Sequence, residues 1–166
     1  MRLETEVTYR LVTVRLYGKG VQLRSETQGA DLKEANWFRV EMGDLIMSKI
    51  DARNGAFGII PFDLDGAIVT NQFPIFRVSS PERVVDFLLA LLTRPRFYQR
   101  FDAMVSGASR RRRVEPAEFL DMEIPDVPPT LQREVGTRIV ESREIIAVAS
   151  TELDTLEEKV NGLMEN

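Results

Sequence analysis

The sequence predicts an α+β protein: a body of several mostly antiparallel strands and short helices, followed by one long helix suited to a coiled coil. Three observations carry this prediction. Residues 5–80 are rich in Val, Ile, Phe, Tyr and Thr in short runs punctuated by Gly, Asn and Asp, the composition of strands joined by turns. Between residues 81 and 105 the apolar positions recur at helical spacing. After Pro125, Pro128 and Pro129 no further proline occurs, and an apolar heptad begins. A chain of 166 residues is long enough for a body with its own core plus an appendage.

In chain order, Val12, Val14 and Leu16 alternate with Thr13 and Arg15 as a half-buried strand does, and Gly18-Lys19-Gly20 permits a tight turn. Further strands are expected over 37–40, 45–50, 57–60, 67–70 and 75–78. Asp51-Ala52-Arg53-Asn54-Gly55 is the loop between two of them. Ser80 can cap a helix that starts at Pro81, because proline at the first helical position loses no hydrogen bond; this helix is expected over 81–92. Pro95 interrupts, and Phe97, Tyr98, Phe101, Met104 and Val105 mark a second helix that Ser106-Gly107-Ala108-Ser109 ends. Trp37, Phe57, Phe97, Tyr98 and Phe101 are assigned to the core.

The prolines make a stiff connector over 126–130, dividing a body of residues 1–125 from a helix of residues 131–166. On that helix Val135, Ile139, Ser142, Ile146, Ala149, Leu153, Leu156, Val160 and Leu163 step alternately by 4 and 3, which is a coiled-coil seam. A helix over 131–164 has 34 residues and reaches ~51 Å at 1.5 Å per residue. That is too long for one small body to cover, so its distal turns need a second helix. The first turns, around Leu131 and Val135, have the body itself as an alternative. Ser142 interrupts the apolar seam as a register device or a weak spot, and Gly136 costs ~1 kcal/mol of helix propensity.

Several kinds of chemistry are excluded by composition. With 0 Cys and 0 His, no thiolate nucleophile, imidazole base, Ser-His-Asp triad or Cys/His zinc site can be assembled. No phosphate-cradling G-x-x-x-x-G-K-[ST] loop is present. Pro128-Pro129 lacks the flanking amide and ring of an amino-methyltransferase motif, since Val127 precedes it and Thr130 follows. Asp63 and Asp65 read as a turn between strands before they read as a Mg²⁺ nuclease site, and Ser48 and Lys49, neighbours on a strand, point to opposite faces. No catalytic residue, metal ligand or cofactor is expected. The longest apolar stretch, 84–92, is broken by Asp86 and falls far below the ~20 residues of a bilayer span. The amino terminus lacks the apolar core of a secretion signal, so a cytoplasmic location is expected.

The net charge of −4 conceals a division. Through residue 120 there are 18 Lys and Arg against 15 Asp and Glu, or +3; beyond it there are 4 against 11, or −7. Residues 94–113 hold seven arginines, Arg94, Arg96, Arg100, Arg110, Arg111, Arg112 and Arg113, against one acid, Asp102. Four consecutive arginines repel one another unless an anion is near, and phosphate is the favoured anion. If alternate members of the run face one way, one pair meets DNA and the other meets acids of the protein. A rival reading gives the arginines an acidic protein partner and makes the chain a coiled-coil adaptor that binds no DNA.

The segment Gly43-Asp44-Leu45-Ile46-Met47-Ser48-Lys49-Ile50-Asp51-Ala52-Arg53-Asn54-Gly55-Ala56-Phe57-Gly58-Ile59-Ile60-Pro61 resembles a signature of the specificity subunits of type I restriction-modification systems. Asp65-Gly66-Ala67-Ile68-Val69-Thr70-Asn71-Gln72-Phe73-Pro74, Ser106-Gly107 with its arginine run, and Ile124-Pro125-Asp126-Val127-Pro128-Pro129 before the long helix are similar to the same family. The resemblance implies a target recognition domain that reads double-stranded DNA, and a spacer helix that pairs with a second helix in an antiparallel coiled coil. The implied partners are a DNA methyltransferase (modification) subunit and an endonuclease-translocase (restriction) subunit, which do the chemistry. The family's subunit carries two recognition domains and two spacer helices. This sequence has one of each, which implies a half-subunit that forms a homodimer, or a piece of a longer chain. Arg can donate two hydrogen bonds to guanine and Asn can pair with adenine, so Arg53 and Asn54 are candidate base readers and Lys49 a phosphate contact. The alternative is a turn in which Asn54-Gly55 only supplies the backbone conformation. Arg94, Arg96 and Arg100 extend the basic patch.

Overall fold

The computed structural model describes residues 1–33, 35–78, 84–101 and 113–164; the side chains at 147 and 162–164 are not among those described. The expected cap Ser80-Pro81, the helix positions Met104 and Val105, the segment Ser106 to Ser109, and Arg110, Arg111 and Arg112 lie outside the described residues. The seam side chain of Leu163 does too.

Among the described residues seven strands form two sheets: β1 (Thr8–Val14), β2 (Val21–Gln28), β3 (Trp37–Arg39), β4 (Leu45–Met47), β5 (Phe57–Ile59), β6 (Ile68–Thr70) and β7 (Ile75–Phe76). One sheet runs β2-β1-β6-β3 and the other β5-β4-β7. All pairings are antiparallel except β1 with β6, which meet in parallel at Leu11 and Ile68. Four α-helices follow among the described residues: α1 (Val84–Leu92), α2 (Pro95–Tyr98), α3 (Pro116–Leu120) and α4 (Pro129–Met164).

Strand β4 shows why these residues stack in layers. Successive strand residues face opposite sides. Leu45 and Met47 enter a core shared with Phe57, Leu89 and Leu92, while Ile46 enters a second core with Val12, Val14, Val40 and Val69. Both faces of β4 are covered, so the strand reads as an unbroken apolar run. Tyr9, Trp37 and Ile68 form a smaller cluster. Phe57 and Phe101 are fully buried, Phe97 is 6% and Trp37 7% exposed, and Tyr98 is half-buried.

Three expectations are corrected, and one strand, β2, was not expected. Strand β1 stops at Val14 and Leu16 is exposed, because residues 15–20 form a wider loop, closed by the Arg15 N–H on the Gly20 carbonyl at 2.8 Å. The strand expected over 45–50 ends at Met47, since Ser48 and Asp51 start a turn. Strand β2 lacked an apolar alternation to reveal it: it is a mostly exposed edge strand, held by its backbone ladder to β1. The long helix begins at Pro129, inside the expected connector, where the Pro128 carbonyl accepts from Leu131 and Gln132 and the Gln132 side chain donates to the Val127 carbonyl at 2.7 Å. Its 36 residues span ~54 Å.

The near part of α4 packs on α1, with Gly136 buried and Val135 and Ile139 half-buried against the body. Beyond residue 140 every described side chain is exposed, and the seam lies bare: Ile146 is 63%, Leu153 55%, Leu156 51% and Val160 56% exposed. Ser142 bonds back to the Arg138 carbonyl at 2.7 Å, which satisfies its hydroxyl within the helix. No helix among the described residues is long and apolar enough to cross a membrane.

Candidate nucleic-acid interface

The segment 43–58 is dictated largely by backbone demands. Asp44, 4% exposed, accepts the Glu41 N–H at 2.8 Å and is bonded by the Arg77 guanidinium at 3.2 Å. The hydrogen bond and charge of Asp44, with the charge of Glu41, raise the pKa of Arg77 further. Ser48 and Asp51 brace the following turn, in which Ala52 is fully buried and Gly55 takes a left-handed φ of 70°. The carbonyls of Asn54 and Gly55 accept the N–H groups of Tyr17 and Gly18 at 2.8 and 2.9 Å, which pins the β1–β2 loop. Gly58 lies so close to β2 that a Cβ there would stand 2.6 Å from Val21 Cγ2.

Arg53 and Asn54 are half-buried in this turn, and their backbone fits the structural alternative raised from sequence. Helix α2 packs against the same turn, with the Tyr98 ring beside Gly55. Pro95 opens α2 and buried Phe97 anchors it. Arg94, Arg96 and Arg100 are exposed and line one open hollow, of about 720 Å³, together with Leu91 and Pro125. Arg100 lies 5.1 Å from the centre of the Phe97 ring and donates to the Glu123 carbonyl at 2.9 Å. The structure thus places the turn and these arginines on adjoining elements.

Lys49 is placed differently. Its ammonium is 2.7 Å from Glu115 Oε2, its side chain is 16% exposed, and it borders another hollow with Phe38, Asn71, Phe73 and Pro116. A phosphate at Lys49 competes with that carboxylate for the ammonium. The Lys49 carbonyl also accepts the Val114 N–H at 2.8 Å. Phe101 and Val114, at 0% and 2% exposure, enter one core with Phe57, so both ends of the stretch holding the arginine run are tethered beside the 48–58 segment. Of the four consecutive arginines, Arg113 is described and is exposed.

Asp63 and Asp65 serve a turn: their carbonyls accept from Arg10, and the Asp65 carboxylate accepts the Met42 N–H at 2.8 Å. Three side chains missed by sequence reasoning adjoin the arginine surface, two of them cationic. Tyr17, Arg138 and Arg143 border an open cleft between the body and α4 that Arg94 shares. The signal for the two arginines was their position flanking the heptad seam. Which part of that seam faces the body is set by folding.

No family model matches the chain, and no curated protein matches it. Among solved structures, the chain is similar to the HsdS subunit from Thermoanaerobacter tengcongensis, with a TM-score of 0.66 at 19% identity over 92% of this chain. It spans 42% of the length of that subunit. The fold of a type I specificity subunit, resembled in the sequence, is therefore matched in three dimensions, by the body and the long helix together.

Proposed function

We propose that the chain is a DNA sequence-recognition subunit or half-subunit of a type I restriction-modification system, reading one half of a bipartite target. The observation that carries this reading is the fold match over 92% of the chain, which takes in an α+β body and a helix with a bare heptad seam. Arg94, Arg96, Arg100 and the run Arg110 to Arg113 hold phosphates and set register, and Arg53 and Asn54 offer side chains to base edges. Two copies join through Ile146, Ala149, Leu153, Leu156, Val160 and Leu163 in an antiparallel coiled coil, and the twofold makes the target palindromic and bipartite. A strut of ~54 Å limits the gap between half-sites to about 16 base pairs at 3.4 Å per pair. The chain carries no reaction of its own in this reading. Methyltransferase and endonuclease-translocase subunits dock on it in the cytoplasm and supply the chemistry.

Selection of bound duplexes from a random pool, with and without a methyltransferase subunit, tests this. The expected product is two inverted half-sites at a fixed gap. A continuous asymmetric site overturns the homodimer, and failure to bind duplex at any salt favours the protein-only adaptor.

A further inference from the structure

The joint between the body and α4 carries guanidiniums from both. Tyr17, Thr93, Arg94, Arg138, Ser142 and Arg143 border one open cleft of about 430 Å³, floored by Val135 and Ile139. Among the described residues no carboxylate lines it. Arg94 and Arg143 have no ion-pair partner among the described residues, and Arg138 has only Glu134 on its own helix at 4.0 Å, an exposed pair of little strength. Arg143 also borders the neighbouring hollow that holds Asp86 and Glu144. The hydroxyls of Thr93 and Ser142 are bonded to carbonyls of their own helices at 2.8 and 2.7 Å, which leaves the guanidiniums, with the Tyr17 hydroxyl at the mouth, as the groups open to a ligand.

In a chain of net charge −4, three arginines around one cleft with no carboxylate among its described lining residues are not a general background. Each presents a planar fork of donors that matches phosphate oxygens. Arg94 borders this cleft on one side and the Arg96–Arg100 hollow on the other, so the cationic surface runs from α2 onto α4. Tyr17, at the mouth, is 64% exposed and keeps a left-handed φ of 59° that a tyrosine rarely adopts. Its N–H bond to Asn54 helps hold it there.

We propose that Arg94, Arg138 and Arg143 form a phosphate clamp in which one backbone phosphate of duplex DNA is held jointly by the body and the strut helix. This rests on the DNA-binding reading and adds to it that α4 takes part in holding DNA. Binding then stiffens the angle between reader and strut, and the angle places the second reader.

The test uses the full chain, alone and with the methyltransferase subunit, on selected and random duplexes across a KCl series. The variant Arg138→Gln/Arg143→Gln should bind both duplexes about a hundredfold more weakly at low salt, about tenfold per arginine. Its slope of log affinity against log salt should fall by about 1, the loss of one phosphate contact, with the preference for the selected site unchanged. Arg138→Lys/Arg143→Lys, which keeps the charge, should retain the slope. Native mass should be that of the wild type in both variants. Wild-type affinity and slope in the Gln variant overturn the clamp alone, as does an altered mass with DNA binding intact, which would assign the cleft to a partner helix. Absence of duplex binding by the wild-type chain overturns the DNA reading and the clamp together.

Discussion

Glu115 Oε2 stands 2.7 Å from Lys49 Nζ, joining the exit of β4 to the residues that follow the arginine run. Charge alone pointed Lys49 at phosphate; its neighbour makes it first an anchor. Glu115→Gln should free the ammonium, steepen the salt dependence of duplex binding by about 1 in slope, and lower stability by about 1 kcal/mol at most. Salt titration and thermal unfolding read the two effects. Gly58 is a stricter case, because a methyl group there meets Val21 Cγ2 at 2.6 Å and the Gly20 carbonyl carbon at 3.2 Å. Gly58→Ala should cost about 1–3 kcal/mol in chemical denaturation through overpacking. Asp44 is buried with two bonds to its carboxylate, so Asp44→Ala should cost about 2–4 kcal/mol and strand the Glu41 N–H. The resemblance segment thus records packing and turn geometry at least as much as ligand contact, which residue identities alone did not separate.

Helix α4 shows the same division along its length. Heptad spacing identified the seam, yet Val135 and Ile139 pack on the body while Ile146, Leu153, Leu156 and Val160 remain bare. The exposed part carries the association in our reading. Leu153→Asp/Leu156→Asp should therefore convert a dimer into a monomer by light scattering, weakening association at least a hundredfold, since each buried leucine contributes about 1.5–3 kcal/mol. The melting of the body should be little changed. Strand β4 was legible because both its faces are apolar, and β2 was not because its stability resides in backbone hydrogen bonds that leave no trace in side-chain polarity. Helix α3 was missed for a related reason: five residues opened by Pro116 show no period, and it is tertiary packing that brings Phe119 within 4.8 Å of the Phe76 ring.

In our reading the body and the long helix make a measuring device when two copies meet. Duplicating the heptad 146–152 within the exposed part of α4 preserves the seam and lengthens each strut by about 10.5 Å. The gap between selected half-sites should then grow by about three base pairs while the half-site sequences stay the same. An unchanged gap would mean that the rod does not set the distance. The overall acidity of the chain does not oppose DNA binding, because the acids concentrate beyond residue 120 whereas Arg94, Arg96 and Arg100 share one hollow.

Fold class, the amphipathic strands, the seam and the absence of Cys and His chemistry were written in local patterns, where periodicity and residue type suffice. The partners of Lys49, the jointly lined cleft of Arg94, Arg138 and Arg143, and the point at which α4 leaves the body came from folding. These depend on which distant segments meet, and hydrophobic burial chooses those meetings through the sum of many contacts that no short stretch of sequence contains.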